Sequence, residues 1–212
     1  MSGRLEPTGP RSGSGARYTQ RMVTATRMTL DEFLGLPETE PPAEFVCGKI
    51  VQKPMPTWNH SSLAARIAAF FTLYFMRNPE GFVNTELRHA ERSENRAYLP
   101  DVSVTRREHA PKSRQERQRG PIEHVPDIAI EVVSPDDRPG RLAERVAFYL
   151  RAGVPLVWVV EPDERTISVF EPGRPARILG VEDTIDAAPV LSSFSMALDE
   201  LFAVLDDGVD ED

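Results

Sequence analysis

The sequence predicts an α/β (α+β) domain built on a mixed central β-sheet flanked by helices, and three observations carry that expectation. The run Asp127, Ile128, Ala129, Ile130, Glu131, Val132, Val133 is apolar on both faces, as an interior strand covered on two sides must be. Leu63, Ile67, Phe70, Phe71 and Tyr74 recur at helical spacing within residues 59–77. A second helical stretch, residues 141–152, leads past Gly153 into another aliphatic run at residues 155–160.

Taken in order, Thr29 is an N-cap for a short helix at residues 30–34, stopped by the proline- and acid-rich residues 37–42. Residues 44–52 read as one strand closed by Pro54 and Pro56. Pro79 and Gly81 end the long helix. Two extended stretches, 82–89 and 98–104, precede a basic loop at 106–119 and the apolar strand at 127–133. After the second helix, residues 155–160 and 166–170 flank the turn residues Pro162, Asp163, Glu164 and Arg165 as a hairpin, and a short helix closes the domain near residues 195–205.

The 212 residues, 40% hydrophobic and 27% charged, suit one domain with a substantial core. Residues 1–27, rich in Gly, Ser, Arg and Pro, are expected to form a flexible leader without the apolar stretch of a secretory signal. Residues 28–205 form the domain, and 206–212 an acidic disordered tail. No apolar run approaches the ~20 residues that span a bilayer, so no membrane partner is expected. The single cysteine, Cys47, excludes an internal disulfide and fits a reducing compartment, which makes the cytoplasm the expected location. A net charge of −8 argues against wholesale nucleic-acid binding. Residues 106–119 reverse that balance locally, with six basic residues against Glu108 and Glu116.

Glu131 is the residue that does not belong. It interrupts an aliphatic strand, and an unpaired buried carboxylate costs several kcal/mol, so it needs a cation, a donor or a raised pKa. The plain alternative is a Glu at the strand's end, facing water or pairing with an arginine. Asp127 lies four residues before it on the same strand, about 13 Å away at ~3.3 Å per residue, too far to share an ion. Asp101 lies on another strand and can converge with Glu131, because facing residues of paired strands bring their Cβ atoms to about 5 Å. Asp127 then reads as a turn residue at strand entry. Two carboxylates without clustered Cys or His suit a hard cation bound through oxygen, Mg²⁺ or Mn²⁺. The four histidines, His60, His89, His109 and His124, show no metal-ligand spacing; a capping or surface role is expected for His60, the alternative being that, at the start of the long helix beside Asn59, it approaches the site.

Pro100-Asp101, followed by Glu131-Val132-Val133, resembles the PD-(D/E)xK superfamily of metal-dependent nucleases. The wider pattern is similar to the Uma-type restriction-endonuclease family over residues 28–205. The resemblance rests on Glu44 to Val51, on His60 opening a helix, and on Leu99-Pro100-Asp101-Val102. It also rests on Pro126 to Pro135 and on Tyr149-Leu150-Arg151-Ala152-Gly153-Val154-Pro155. It implies a restriction-endonuclease-like core with Asp101 and Glu131 as metal ligands, and a further acid at Glu44, whose alternative is a surface strand residue. The superfamily lysine two residues after Glu131 is here Val133. The family instead supplies a lysine from the following helix, in a setting that here reads Glu144, Arg145, Val146, Ala147, Phe148, Tyr149. Arg145 therefore takes the lysine's place, and the alternative is an exposed helix residue. Arginine supplies charge but stays protonated and cannot act as a base.

The expected activity is a metal-dependent endonuclease hydrolysing DNA phosphodiester bonds, with Asp101, Glu131, Arg145 and Glu44 catalytic. Arg114, Arg117 and Arg119 of the basic loop would grip the phosphate backbone, the alternative being a solvated loop. A homodimer is possible. The main rival is a catalytically impaired nuclease fold that binds nucleic acid or a protein partner, and a third reading is a phosphodiesterase for a small substrate.

Overall fold

The computed structural model describes residues 28–118, 120 and 122–206, so the leader and, but for Asp206, the acidic tail lie outside the described residues. Helix α1 (Leu30–Leu34) starts at Thr29, whose hydroxyl accepts the Glu32 N–H while the Glu32 carboxylate accepts the Thr29 N–H. Residues 44–52 are not one strand. They form a hairpin, β1 (Ala43–Val46) and β2 (Lys49–Gln52), because Cys47 and Gly48 take φ of 49° and 86° in the two-residue turn. Thr57 caps α2 (Trp58–Arg77).

The two extended stretches each break in two. Residues 82–89 divide between β3 (Gly81–Thr85) and β4 (His89–Glu91), with Glu86 at φ 49° between them. Residues 98–104 divide between β5 (Arg96–Tyr98) and β6 (Val102–Arg106), at Pro100, which has no N–H to offer a ladder. The basic loop is also partly helical: α3 (Arg114–Gln118) is closed at its start by reciprocal bonds between Ser113 and Glu116. Then follow β7 (Ile128–Val132), α4 (Pro139–Arg151), β8 (Leu156–Glu161) and β9 (Thr166–Phe170). The end of the domain holds more strand than expected, namely β10 (Arg177–Leu179), β11 (Thr184–Ala187) and β12 (Leu191–Ala197), before α5 (Leu198–Phe202).

The central sheet runs β10-β9-β8-β7-β6-β3 and is mixed, since β7 and β8 are parallel and its other pairs antiparallel. A smaller antiparallel sheet runs β2-β1-β5-β4, and β11 and β12 pair as a hairpin. One face of the central sheet, with Val102, Val104, Ile128, Ile130 and Trp158, packs against Leu63, Ile67 and Phe71 of α2 and against Phe194 and Leu201. The other face, with Ala129, Val157 and Val159, packs against Phe148 and Tyr149 of α4 and against Tyr98. Phe33, Phe45 and Ala97 close the small sheet. The chain crosses from the small sheet into the central one at Leu99, Pro100 and Asp101, all buried. Among the described residues no helix is long and apolar enough to cross a membrane.

His89, 1% exposed on β4, has its Nδ1 2.8 Å from the His124 carbonyl and its Nε2 3.3 Å from Ser103 Oγ. Burial pushes its imidazole down to about 4. The folded value lies below the unfolded one, so protonation favours unfolding: this contribution is complete above about pH 6.5 and is lost as pH falls toward 4. At ~1.4 kcal/mol per pKa unit it amounts to about 3 kcal/mol. His89→Asn is expected to flatten the fall in urea midpoint between pH 7 and pH 4.5, and an unchanged fall would show that other groups govern acid sensitivity.

Candidate active site

Asp101 is placed by the crossover. Its neighbour Val102 pairs with Ile130 across β6 and β7, and both of those side chains enter the aliphatic layer under α2. On the far side of that pair Glu131 turns to the opposite face, toward α4, while Asp101, just before β6, meets the Val132 N–H of β7 and His60 of α2. The carboxylate of Asp101, 3% exposed, is held from three sides. Lys53 Nζ lies 2.6 Å from Oδ1, and the Val132 N–H donates to Oδ2 at 2.8 Å. His60 Nε2 lies 3.1 Å from the same Oδ2. Lys53 Nζ also donates to the Leu99 carbonyl at 2.7 Å.

Glu131, 1% exposed, meets the second helix. Arg145 NH1 donates to its Oε2 at 2.6 Å and the Tyr149 hydroxyl to its Oε1 at 2.8 Å. Arg145 and Tyr149 stand one helical turn apart, so both reach the strand from the same face of α4. The other end of the Arg145 fork lies 3.5 Å from Glu44 Oε2, and Glu44 Oε1 accepts the Leu99 N–H at 3.3 Å. Glu44 is 2% exposed and Arg145 7%, so neither is the surface residue that was the alternative for it. Glu131 does pair with an arginine, but from a fully buried position in mid-sheet.

Three carboxylates and two fixed cations thus share one buried region. Burial pushes Glu131 up to about 7; Arg145 opposes the shift and the Asp101 charge adds to it. The 2.6 Å contact and the Tyr149 O–H favour the ionised form, yet burial first, and the Asp101 and Glu44 charges after it, keep the carboxyl above its ordinary range. Glu44 is raised by burial too, against the pull of Arg145 and Lys53. Asp101 goes the other way. Burial alone would raise it, but Lys53 and His60 together hold it far below the usual carboxylate range. Burial alone would lower Lys53, and the charges of Asp101, Glu131 and Glu44 outweigh that and keep its ammonium protonated.

A cavity of about 20 Å³, room for roughly one water or small ion, is lined by Lys53, His60, Glu86, Asp101, Val132 and Arg145 among others. Glu131 does not line it, its two oxygens being taken by Arg145 and Tyr149. In kind, the donors fit a divalent cation. They are hard oxygens, and three buried carboxylates against two cations leave negative charge for an ion to offset. Among the described residues no group of three or more His, Cys, Asp or Glu is arranged to hold a metal. An ion here would complete its shell with water or substrate oxygens, as Mg²⁺ commonly does.

Sequence reasoning preferred another role for one member of this cluster and passed over a second. His60 is not a cap or surface residue: α2 begins at Trp58, and that start carries His60 inward onto Asp101. Lys53 was not singled out at all. A lysine between Gln52 and Pro54 reads as an exposed strand end, and only the hairpin turn at Cys47 and Gly48, which the glycine signals, returns β2 so that Lys53 reaches Asp101. Asp127 sits outside the cluster. It accepts from the Arg106 backbone and side chain and lies 2.8 Å from His109 Nδ1, which anchors the start of the basic segment. In that segment Arg114 is exposed, Arg117 lies over the Phe82 ring at 4.9 Å, and Arg119 lies outside the described residues.

Comparison with known proteins adds to this geometry. No protein of curated function matches the chain. A solved structure from Anabaena variabilis ATCC 29413, described as "a putative nuclease belonging to DUF820", is similar at 29% identity and a TM-score of 0.75. The match covers 84% of this chain and 99% of that one. The Uma2 family model, described as "Putative restriction endonuclease", matches residues 30–199. The chain therefore belongs to the Uma2 family, nucleases of restriction-endonuclease type.

Proposed function

We propose that the protein is a divalent-metal-dependent endonuclease that hydrolyses DNA phosphodiester bonds, with Asp101 and Glu131 as the ligands of Mg²⁺ or Mn²⁺. The observation that carries this reading is the buried pair of carboxylates on neighbouring strands, one of which lines a water-sized cavity beside Lys53 and Arg145. When bound there, the ion would supply an activated water and offset charge building on the phosphate. Lys53 and Arg145 add fixed positive charge at the cavity, and neither is a base, since both stay protonated. His60 lines the same cavity and would orient Asp101, its Nε2 standing 3.1 Å from Oδ2. Glu44 and Tyr149 hold Arg145 and Glu131 in place. A magnesium-titrated plasmid-nicking assay tests the reading: nicking that saturates with Mg²⁺ and vanishes in EDTA supports it, and intact supercoiled plasmid at every concentration refutes it.

A second reading, a nuclease fold that binds nucleic acid or a protein without cutting, draws on one observation. Both oxygens of Glu131 are already engaged by Arg145 and Tyr149. Titration calorimetry with Mg²⁺ separates the two, since a relic that has lost its ion site gives no binding heat.

The basic segment supplies the grip on the substrate in this proposal. It follows β6, which starts one residue after Asp101. Arg117 is docked, its Nε bonded to the Pro111 carbonyl at 3.0 Å, and Arg114 is exposed. Replacing Arg114, Arg117 and Arg119 by alanine is expected to weaken DNA binding alike across sequences. The slope of log affinity against log salt should flatten by about 0.9 for each phosphate that is no longer neutralised. Unchanged affinity and slope in a fluorescence-anisotropy titration would remove this segment from the DNA-binding surface.

A further inference from the structure

Lys53 and His60 both reach Asp101, and the chain between them is pinned to the site at its two ends. That short stretch exposes two large apolar side chains, Met55 at 65% and Trp58 at 82%. An indole left so open is unusual for a residue whose ring, buried, would contribute a large share of any interface. Trp58 and His60 are separated by about 3 Å of rise on α2, and two positions along a helix point to different sides. His60 turns to Asp101, and Trp58 turns to a second cavity.

That cavity measures about 290 Å³ and is lined chiefly by Trp58, Asn59, Val133, Ser134, Glu161 and Asp163. It shares Ser134 with the small cavity at Asp101, so the two spaces adjoin. Among the described residues its lining has no lysine, arginine or histidine. A phosphate would therefore meet repulsion here, while a flat ring bearing N–H donors would meet an aromatic face, an amide and two carboxylates. Glutamate and aspartate accept from the exocyclic amino group of cytosine, and exposed tryptophan stacks on any base. Glu161 is half-buried among Asp137, Asp163 and Glu164, and burial first, then those charges, hold its carboxyl above the ordinary range. A donated N–H stabilises an acceptor so placed.

We infer that this cavity is a nucleobase subsite: a base carrying an exocyclic amino group stacks on Trp58 and donates to Glu161 or Asp163, next to the small cavity where Lys53 and Arg145 supply positive charge. The inference rests on the nucleic-acid reading above. The base enters unstacked, as bases read by pockets must, so the favoured ligand is a single-stranded or locally opened segment. Cytosine and thymine, similar in size, differ here in what they present to the carboxylates.

The chain contains two tryptophans, and the other, Trp158, is fully buried, so quenching by added ligand reports on Trp58. Octamers of deoxycytidine and of thymidine are titrated in EDTA into the full chain, with tryptophan emission and fluorescence anisotropy followed together. The expected result is saturable quenching, tighter for the cytosine octamer, with binding about 10-fold weaker in Trp58→Ala and largely kept in Trp58→Phe. The double substitution Glu161→Gln with Asp163→Asn should remove the preference for cytosine over thymine. Octamers that bind without changing Trp58 emission, or equally well to Trp58→Ala, overturn the subsite. So does an emission change produced by Ca²⁺ alone, which would give the cavity to a cation. Plasmid nicking measured in parallel keeps the failures apart. Nicking without Trp58 quenching sinks the subsite alone, whereas absence of both nicking and binding sinks the nuclease reading and the subsite with it.

Discussion

Replacing Asp101 by asparagine is expected to reduce metal-dependent nicking to background and also to destabilise the fold by about 3–5 kcal/mol. The loss of activity follows from removing a proposed ligand of the ion. The loss of stability follows from what Asp101 does without one. Lys53 is buried, and its ammonium has Asp101 Oδ1 at 2.6 Å and the Leu99 carbonyl as its hydrogen-bond partners. The amide of asparagine cannot balance that charge, and a buried cation that loses its anion is among the costlier single changes. The two effects separate in the pair Asp101→Leu with Lys53→Met, which removes both charges. That variant should regain most of the stability while remaining inactive, because a buried ion pair is often replaceable by apolar groups of similar volume. Urea denaturation and plasmid nicking on the three proteins check the prediction. An asparagine variant as stable as the parent would mean that the Lys53 ion pair does not persist in solution.

Arg145→Ala is expected to abolish cleavage and to cost a similar 3–5 kcal/mol or so near pH 8. One guanidinium serves two carboxylates, Glu131 at 2.6 Å and Glu44 at 3.5 Å, and its removal leaves both buried beside Asp101. The pH dependence carries a sign. Glu131 already has its pKa raised to about 7, and losing Arg145 raises it further. An acid whose folded pKa lies above its unfolded value stabilises the fold at low pH and loses that contribution as pH rises. The alanine variant should therefore be markedly more stable at pH 5 than at pH 8, over a wider span than the parent. Arg145→Lys keeps one positive charge and restores the residue type that the family resemblance implies, so it should retain or raise activity. Unchanged nicking by the alanine variant would show that Arg145 only supports the fold.

Parts of this architecture could be read along the chain because they repeat a pattern. Leu63, Ile67 and Phe71 announce α2 through their spacing, and the aliphatic runs of β7 and β8 announce a sheet covered on both sides. Glu131 stood out because a carboxylate in such a run is energetically out of place. What escaped lay where one residue breaks a pattern. Cys47 and Gly48 fold one apparent strand into a hairpin, and Pro100 divides another between two sheets. Lys53 escaped for a related reason. Nothing local distinguishes a buried lysine from an exposed one, and its role depends on a carboxylate 48 residues away. Arg145 and Glu44 entered through family resemblance, since their burial is a tertiary fact.

The position of Asp101 beside the β6–β7 pairing has a consequence for folding as well. Sliding β6 by one residue against β7 would carry Asp101 away from the Val132 amide and from Lys53. Valines would take its place among Arg145, Lys53 and Glu44. Each separated charge would then be buried without its partner at several kcal/mol apiece. The polar cluster is in this sense a proofreader of strand alignment, and a chain that has found the wrong pairing meets its penalty at the very residues on which the chemistry depends.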